Sequence, residues 1–357
     1  MKKENTQAPV LKRNSSKKHK MISYAKYGYL FLIPFVVIFL IFQFYPLLRT
    51  FYYSVFNYKV SNLDGSVIGP TFIGLKNFAK LLQPGSQMWQ YLGNTMIIWI
   101  LGFVPQCICS LLLAIWFTDE RLKLKGIKFF QTVTYMPNLV MAAAFGYMFQ
   151  MFFSSSGPVN LILESLHLLP EGTPIMFKNS VWWTRVIIAF INFLMWFGNT
   201  SILLMSGIMG IDESVFESAR LDGASSWKIF WKITMPLLTP IFVYFFITSM
   251  IGGIQLFDAA QMFTQGKGGT QQCAKTIIMY LYDLVNSKQN YGEAGALSAI
   301  LFVITGILSL IVFKVMVPKD NAKKAEIKAK KKRERFVRAG LKELGEGNPA
   351  PASAMKE

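Results

Sequence analysis

Six blocks of apolar residues, each about as long as a bilayer is thick, run through this chain near 28–48, 94–117, 128–152, 183–205, 237–257 and 294–316. Roughly twenty residues, at about 1.5 Å of rise each, cross a hydrocarbon core of about 30 Å. Lipid offers no hydrogen-bond partners to a backbone, so a spanning segment must be a helix or a strand of a closed barrel. Barrel strands read as alternating segments of about ten residues, and the blocks here are continuous. The expected fold is all-α, a polytopic membrane protein with six transmembrane helices. Composition agrees: 53% of the 357 residues are hydrophobic and 16% are charged, against about 25% charged in soluble domains. Pro34, Pro46, Pro105, Pro137 and Pro240 fall inside blocks. Proline costs about 3 kcal/mol within a soluble helix. A membrane bundle tolerates it because neighbouring groups satisfy the freed carbonyls.

The net charge of +18 is concentrated in two tails, Lys2 to Lys26 and Lys314 to Lys342. A nucleic-acid module carries its charge on a folded face, so no nucleic-acid partner is expected. Basic tails flanking membrane spans point to anionic membrane lipid. The short loop between the second and third blocks adds Arg121, Lys123 and Lys125, whereas residues 153–181 hold only Lys178. The positive-inside rule therefore predicts a multi-pass membrane protein with both termini cytosolic. The expected organisation is a basic cytosolic tail over 1–27, a six-helix membrane domain over 28–317 and a second basic tail over 318–357. The end of that last tail, rich in Gly, Pro and Ala, has a disordered composition.

Several classes of chemistry are disfavoured. The first block is too long for a signal-peptide core of roughly 7–15 residues and lacks a small-x-small cleavage site, so it reads as a retained anchor. The three cysteines, Cys107, Cys109 and Cys273, form no disulfide framework. His19 and His167 have no metal-ligand spacing, and no metal site is expected. Cys107 and Cys109 have no histidine in any span, which argues against an intramembrane enzyme; both read as packing residues. No carboxylate lies in the six span cores, where a secondary transporter would hold its coupling ion.

The loop between the fourth and fifth blocks, 212–236, reads as helix, turn, helix. Asp212 is an N-cap, Glu213 suits the positive end of a helix, and Gly223 stands where a left-handed residue ends one. Ser225 or Ser226 opens the second helix. Val215, Phe216 and Ala219, then Phe230 and Ile233, form the apolar side. Such a hairpin lies on the membrane surface or docks a soluble partner, and periodicity alone does not choose.

Spacing chooses. Glu217-Ser218-Ala219, three residues, Gly223, nine residues, then Ile233-Thr-Met-Pro236 resembles the EAA loop of ABC importer permeases. That pattern is Glu-Ala-Ala, three residues, Gly, nine residues, Ile-x-Leu-Pro. The chain departs from it only at Ser218 and Met235, with small or volume-conserving changes. Phe72-Ile-Gly74-Leu75-Lys-Asn77-Phe78, Asn94-Thr95, the turn from Thr264 to Gly269, Tyr291-Gly292-Glu-Ala294 and Ser298 resemble segments of carbohydrate-type permeases of the maltose, glycerol-phosphate and multiple-sugar group. The turn carries an insertion and lacks the family's proline.

This resemblance implies a non-catalytic subunit of a bacterial plasma membrane that forms half of a sugar pathway. Its implied partners are a second homologous permease, an ATP-binding-cassette ATPase dimer and an extracellular solute-binding protein. ATP and Mg would be bound by the ATPase, since this chain has no phosphate-cradling Gly-x-x-x-x-Gly-Lys run and is expected to hold no cofactor itself. Glu217, Ser218, Ala219, Asp222, Gly223, Ile233 and Pro236 would form the coupling element. The alternatives are an importer of a non-sugar solute such as glycerol phosphate and, more remotely, a secondary transporter.

Polar residues in the spans suggest a substrate path. Asn192, Trp196 and Asn199 share one helical face, at i, i+4 and i+7, and Thr248 and Gln255 share another with Gly252. Polar groups at membrane depth face a bundle interior or a cavity, or bond helices to one another. Both readings stand for these five residues, whereas Gln106 and Gln131 read as interhelical packing.

Overall fold

The computed structural model describes residues 25–317, apart from 62, 63, 120, 121, 123 and 171. Most of the two basic tails, with Arg121 and Lys123, lies outside the described residues.

The chain divides into two units, residues 1–52 and 53–357. The first carries one long apolar helix: α1 (Ala25–Phe39), a wide i→i+5 turn over Leu40–Phe44 and α2 (Tyr45–Ser54). The wide turn has a local cause. Pro46 has no N–H for the carbonyl four residues back, and its ring crowds that carbonyl. One extra residue in the turn relieves both, as helical π-bulges do.

The second unit begins with a hairpin of β1 (Phe56–Val60) and β2 (Val67–Phe72), paired antiparallel. Then come α3 (Lys76–Leu82) and α4 (Gln87–Thr118), the latter N-capped by the Ser86 hydroxyl. After α5 (Ile127–Tyr135), α6 (Ala142–Phe152) and the short α7 (Pro158–Ser165), the chain crosses again in α8 (Val181–Met209), N-capped by Ser180. The loop hairpin is α9 (Glu213–Leu221) and α10 (Ser226–Ile229), which passes through a second wide turn, Phe230–Thr234, into α11 (Met235–Leu237) and α12 (Thr239–Ile254). This second turn again directly precedes a proline helix segment, here at Pro236. The chain ends in α13 (Asp258–Thr264), α14 (Ile277–Asn286) and α15 (Tyr291–Met316).

Among the described residues five helices are long and apolar enough to cross a membrane: Tyr27–Ser54, Gln87–Thr118, Val181–Met209, Thr239–Thr264 and Tyr291–Met316. The third expected span, 128–152, is present but is not one helix. It breaks into α5, a tight turn over Met136–Leu139, an extended residue at Val140, and α6. Pro137 removes the N–H that would continue the ladder. The broken end is held from α8: Asn138 Nδ2 donates to the Met195 carbonyl at 3.0 Å. Gly198 admits the Thr134 carbonyl where any Cβ would overlap it. The fifth span also breaks, at Gln255–Phe257, and resumes as α13.

The long helices α4 and α8 form the central pair. Gly102 brings them close, since a Cβ there would stand 2.7 Å from the Ala189 carbonyl oxygen. Apolar surface gains nothing by leaving lipid for protein, so close contact through small residues holds membrane helices together. Interhelical hydrogen bonds add to it: Gln106 Nε2 donates to Thr200 Oγ1 at 2.8 Å, and Ser110 Oγ to the Phe197 carbonyl at 2.7 Å. Gln106 is thus a packing residue. Gln131 Nε2 reaches the Met205 sulfur at 3.7 Å.

A polar crown closes the end opposite the α9–α10 hairpin. Asn77 Nδ2 donates to the carbonyls of Ser54 and Phe56 at 3.0 and 2.9 Å. Gly292 lets the Phe56 carbonyl approach so closely that a Cβ would overlap it. Lys80 pairs with Glu293, a buried carboxylate in the first turn of α15. Two segments that resemble permease sequences, 72–78 and 291–294, are therefore one contact.

Candidate functional site

The hairpin is built from local signals. Asp212 accepts from the Ser214 N–H at 2.9 Å and caps α9. Hydrogen bonds from Ser214, side chain first and backbone second, hold the Asp212 carboxyl below the usual carboxylate range. At the other end of α9 the Ala224 N–H reaches the Ala219 carbonyl and the Gly223 N–H the Arg220 carbonyl, both at 3.0 Å. Those two bonds are the Schellman stop, which needs a left-handed residue between them, and Gly223 has φ +75°. Ser225 then caps the second arm by accepting from the Lys228 N–H at 3.3 Å.

Ala219, Ile229 and Thr234 are buried; Phe216, Phe230 and Ile233 are half-buried. Val215, expected on the apolar side, is exposed, and Ile229, not expected there, is buried. Glu217, Ser218, Asp222, Gly223 and Pro236 are exposed. The hairpin lies across the ends of α4 and α8, leaving a cleft of about 480 Å³ lined by Ile115, Asp119, Met209, Phe216, Arg220 and Phe230, among others. The first arm presents an acidic outer face and overlies this cleft.

The expected path residues lie elsewhere. Asn192 and Asn199 are half-buried on α8, and Trp196 is exposed between them. Among the described residues neither asparagine side chain has a hydrogen-bond partner. Thr248 is exposed and bonds back to the Tyr244 carbonyl at 2.8 Å, and Gln255 is exposed where α12 ends. None of the five lines the hairpin cleft.

Sequence reasoning missed a second polar cluster, at the crown end. Arg185 Nε donates to the Cys273 carbonyl at 2.9 Å, and its Nη2 to Asn94 Oδ1 at 2.8 Å. Asn94 Nδ2 donates in turn to the Gln272 carbonyl at 2.9 Å. Lys275 pairs with Asp283 at 2.5 Å. The cluster pins the turn after α13, where Gln265, Gly266, Gly268, Gly269, Gln271 and Gln272 all have positive φ. One signal was present in sequence: an arginine one turn inside an apolar block needs buried acceptors.

The model of the binding-protein-dependent transport system inner membrane component family matches residues 110–320, more than half of the chain. The chain belongs to this family. It is thus a multi-pass membrane component of a transport system. Among its relatives are the lactose transport system permease protein LacF of Rhizobium radiobacter, 29% identical over 80% of this chain and 92% of that protein. The multiple sugar-binding transport system permease protein MsmF of Streptococcus mutans is 26% identical over 81% and 94%. The trehalose/maltose transport system permease protein MalF of Thermococcus litoralis is 27% identical over 82% and 94%. A chain in the crystal structure of a bacterial ABC transporter that imports the acidic polysaccharide alginate has the same fold. Its TM-score is 0.68 at 23% identity, over 84% of this chain and 98% of that one.

Proposed function

We propose that this permease forms one half of the pathway of an ATP-driven importer for a sugar or oligosaccharide. The substrate would be delivered by a solute-binding protein and the second half supplied by a homologous permease. The carrying observation is the hairpin: an exposed Glu217 on α9, a left-handed Gly223 closing it, and a second arm continuous with α12. In this reading the hairpin is cytosolic, as are both termini, and α9 seats in a groove of the ATPase. Because the second arm runs without a loop into α12, a push on α9 reaches the membrane through a helix. Names of the relatives support a sugar as cargo, and a structure of the alginate importer with a pentasaccharide-bound periplasmic protein supports delivery by a binding protein. Asn192, Trp196, Asn199, Thr248 and Gln255 are then path residues, uncovered in a single chain because the second permease completes the path.

Glu217→Lys tests the coupling. It reverses a charge at a preformed dock without touching a span. The variant is expected to insert normally and to lose most binding-protein-stimulated ATP hydrolysis in the reconstituted importer. Wild-type stimulation together with wild-type co-purification of the ATPase would remove the coupling role from this hairpin.

A further inference from the structure

The two arms of the hairpin differ in a way that a single dock does not explain. Residues 212–222 carry four carboxylates, Asp212, Glu213, Glu217 and Asp222, against one arginine, Arg220. Residues 226–237 carry Lys228 and Lys232 and no acid. The outer face of this second arm is also aromatic. Trp227 is 72% exposed and Trp231, one turn on, 50% exposed. Their rings meet edge to face with centroids 5.6 Å apart, and both lysines are exposed. Ile229 and Thr234 are buried on the side towards the bundle, and Phe230, whose ring meets both tryptophans, lines the cleft.

The depth of this arm can be read from α4. That helix is apolar through Phe117 and gives way to Asp119, so its end marks a membrane boundary. The same cleft brings Ile115, Thr118 and Asp119 of that end to Ser226, Ile229, Phe230 and Thr234. Trp116, also half-exposed, sits on the last turn of α4. Exposed Trp89, Trp182 and Trp183 mark the opposite ends of α4 and α8. Tryptophan gathers at both membrane–water interfaces, where an apolar ring carries a polar N–H. Trp227 and Trp231 belong to the belt on the hairpin side.

We propose that the second arm, Ser226–Thr234, is a membrane anchor that seats Trp227 and Trp231 in the headgroup layer and binds anionic phospholipid through Lys228 and Lys232. The acidic first arm is repelled by the same surface and stays free for its own partner. The hairpin then pivots on a lipid-held heel, and its resting angle depends on anionic lipid. This holds whatever protein engages α9.

The test uses the full chain in nanodiscs, with lipids brominated near the headgroup as quenchers. The chain has eight tryptophans, so the signal is the fluorescence difference between wild type and the Trp227→Phe/Trp231→Phe variant. Brominated phosphatidylglycerol is expected to quench this difference more strongly than brominated phosphatidylcholine. Lys228→Gln and Lys232→Gln should each lower that preference about fivefold, the effect of one cation near an anionic surface, with added salt acting in the same direction. Both are conservative surface changes, and size-exclusion profiles confirm intact folding. A difference signal that brominated lipid leaves unchanged overturns the proposal. So does one quenched equally by both lipids with the lysine variants unaltered. A signal insensitive to lipid but shifted by an added ATPase subunit would reassign the face to protein contact.

Discussion

The two ends of the bundle are held by different means. At the crown, side chains bond across the fold: Asn77 to Ser54 and Phe56, Lys80 to Glu293, Arg185 to Asn94 and Cys273. In the hairpin every side-chain hydrogen bond among the described residues stays local. Asp212 serves Ser214, Ser225 serves Lys228, and Thr234 reaches back to Ile229. The crown is locked by the rest of the molecule, whereas the hairpin is shaped by itself and merely rests on the bundle. The proposed coupling role suits the second way of building, since a locally held shape survives displacement.

This contrast predicts unequal costs for a single added methyl group. Gly292→Ala should be the most damaging change, because its Cβ would overlap the Phe56 carbonyl and crowd Asn77 Nδ2. The carbonyl is backbone and the amide is held by two hydrogen bonds, so overpacking of about 3 kcal/mol is expected. Thermal unfolding in detergent should show a clear fall in midpoint. A wild-type midpoint would mean that the crown is no tighter than the hairpin.

Gly223→Ala should cost less and act locally. Nothing lies within 4 Å of a Cβ at this position, but φ is +75°. The penalty is then the left-handed backbone alone, about 1 kcal/mol. Gly223→Asn should recover most of it, since asparagine tolerates that conformation. Hydrogen exchange over 219–226 should rise in the alanine variant with the global midpoint nearly unchanged. A global loss would show that the hairpin is braced like the crown.

The smallest effect concerns the cap of α9. Hydrogen bonds from Ser214 depress the Asp212 carboxyl, so the ionised form is favoured in the folded hairpin. Its contribution is complete above the ordinary carboxylate pKa and is lost only as pH falls through the depressed folded value. Protection factors of the α9 amides, corrected for the intrinsic pH dependence of exchange, should therefore be flat from neutral pH down to the carboxylate range and then fall a few-fold. Asp212→Asn should keep the cap and abolish that acid step.

Much of this architecture was legible because its causes are local. Block length placed the spans, and Asp212, Gly223 and Ser225 announced the hairpin through their own conformational preferences. The break in the third span was not legible. Pro137 alone is compatible with a kinked helix; what fixes the broken end is Asn138 bonding Met195, 57 residues away, and the space left by Gly198. The Arg185 cluster was hidden likewise, its acceptors lying about 90 residues off in either direction. Glu293 fell one residue outside the expected sixth span, and the structure buries it against Lys80. The five path residues were picked by helical spacing, which reports a shared face and not what that face meets.

The Lys80–Glu293 contact also sets a clock on biogenesis. Its two partners are separated by 213 residues. At roughly 5–20 residues per second, a ribosome needs on the order of ten to forty seconds to supply the second after the first. Through that interval Asn77 already holds Ser54 and Phe56, while Lys80 waits beside them for a partner that has not been made. The crown is completed only when α15 emerges, so a chain halted before residue 291 inserts most of its spans yet leaves this end unsealed.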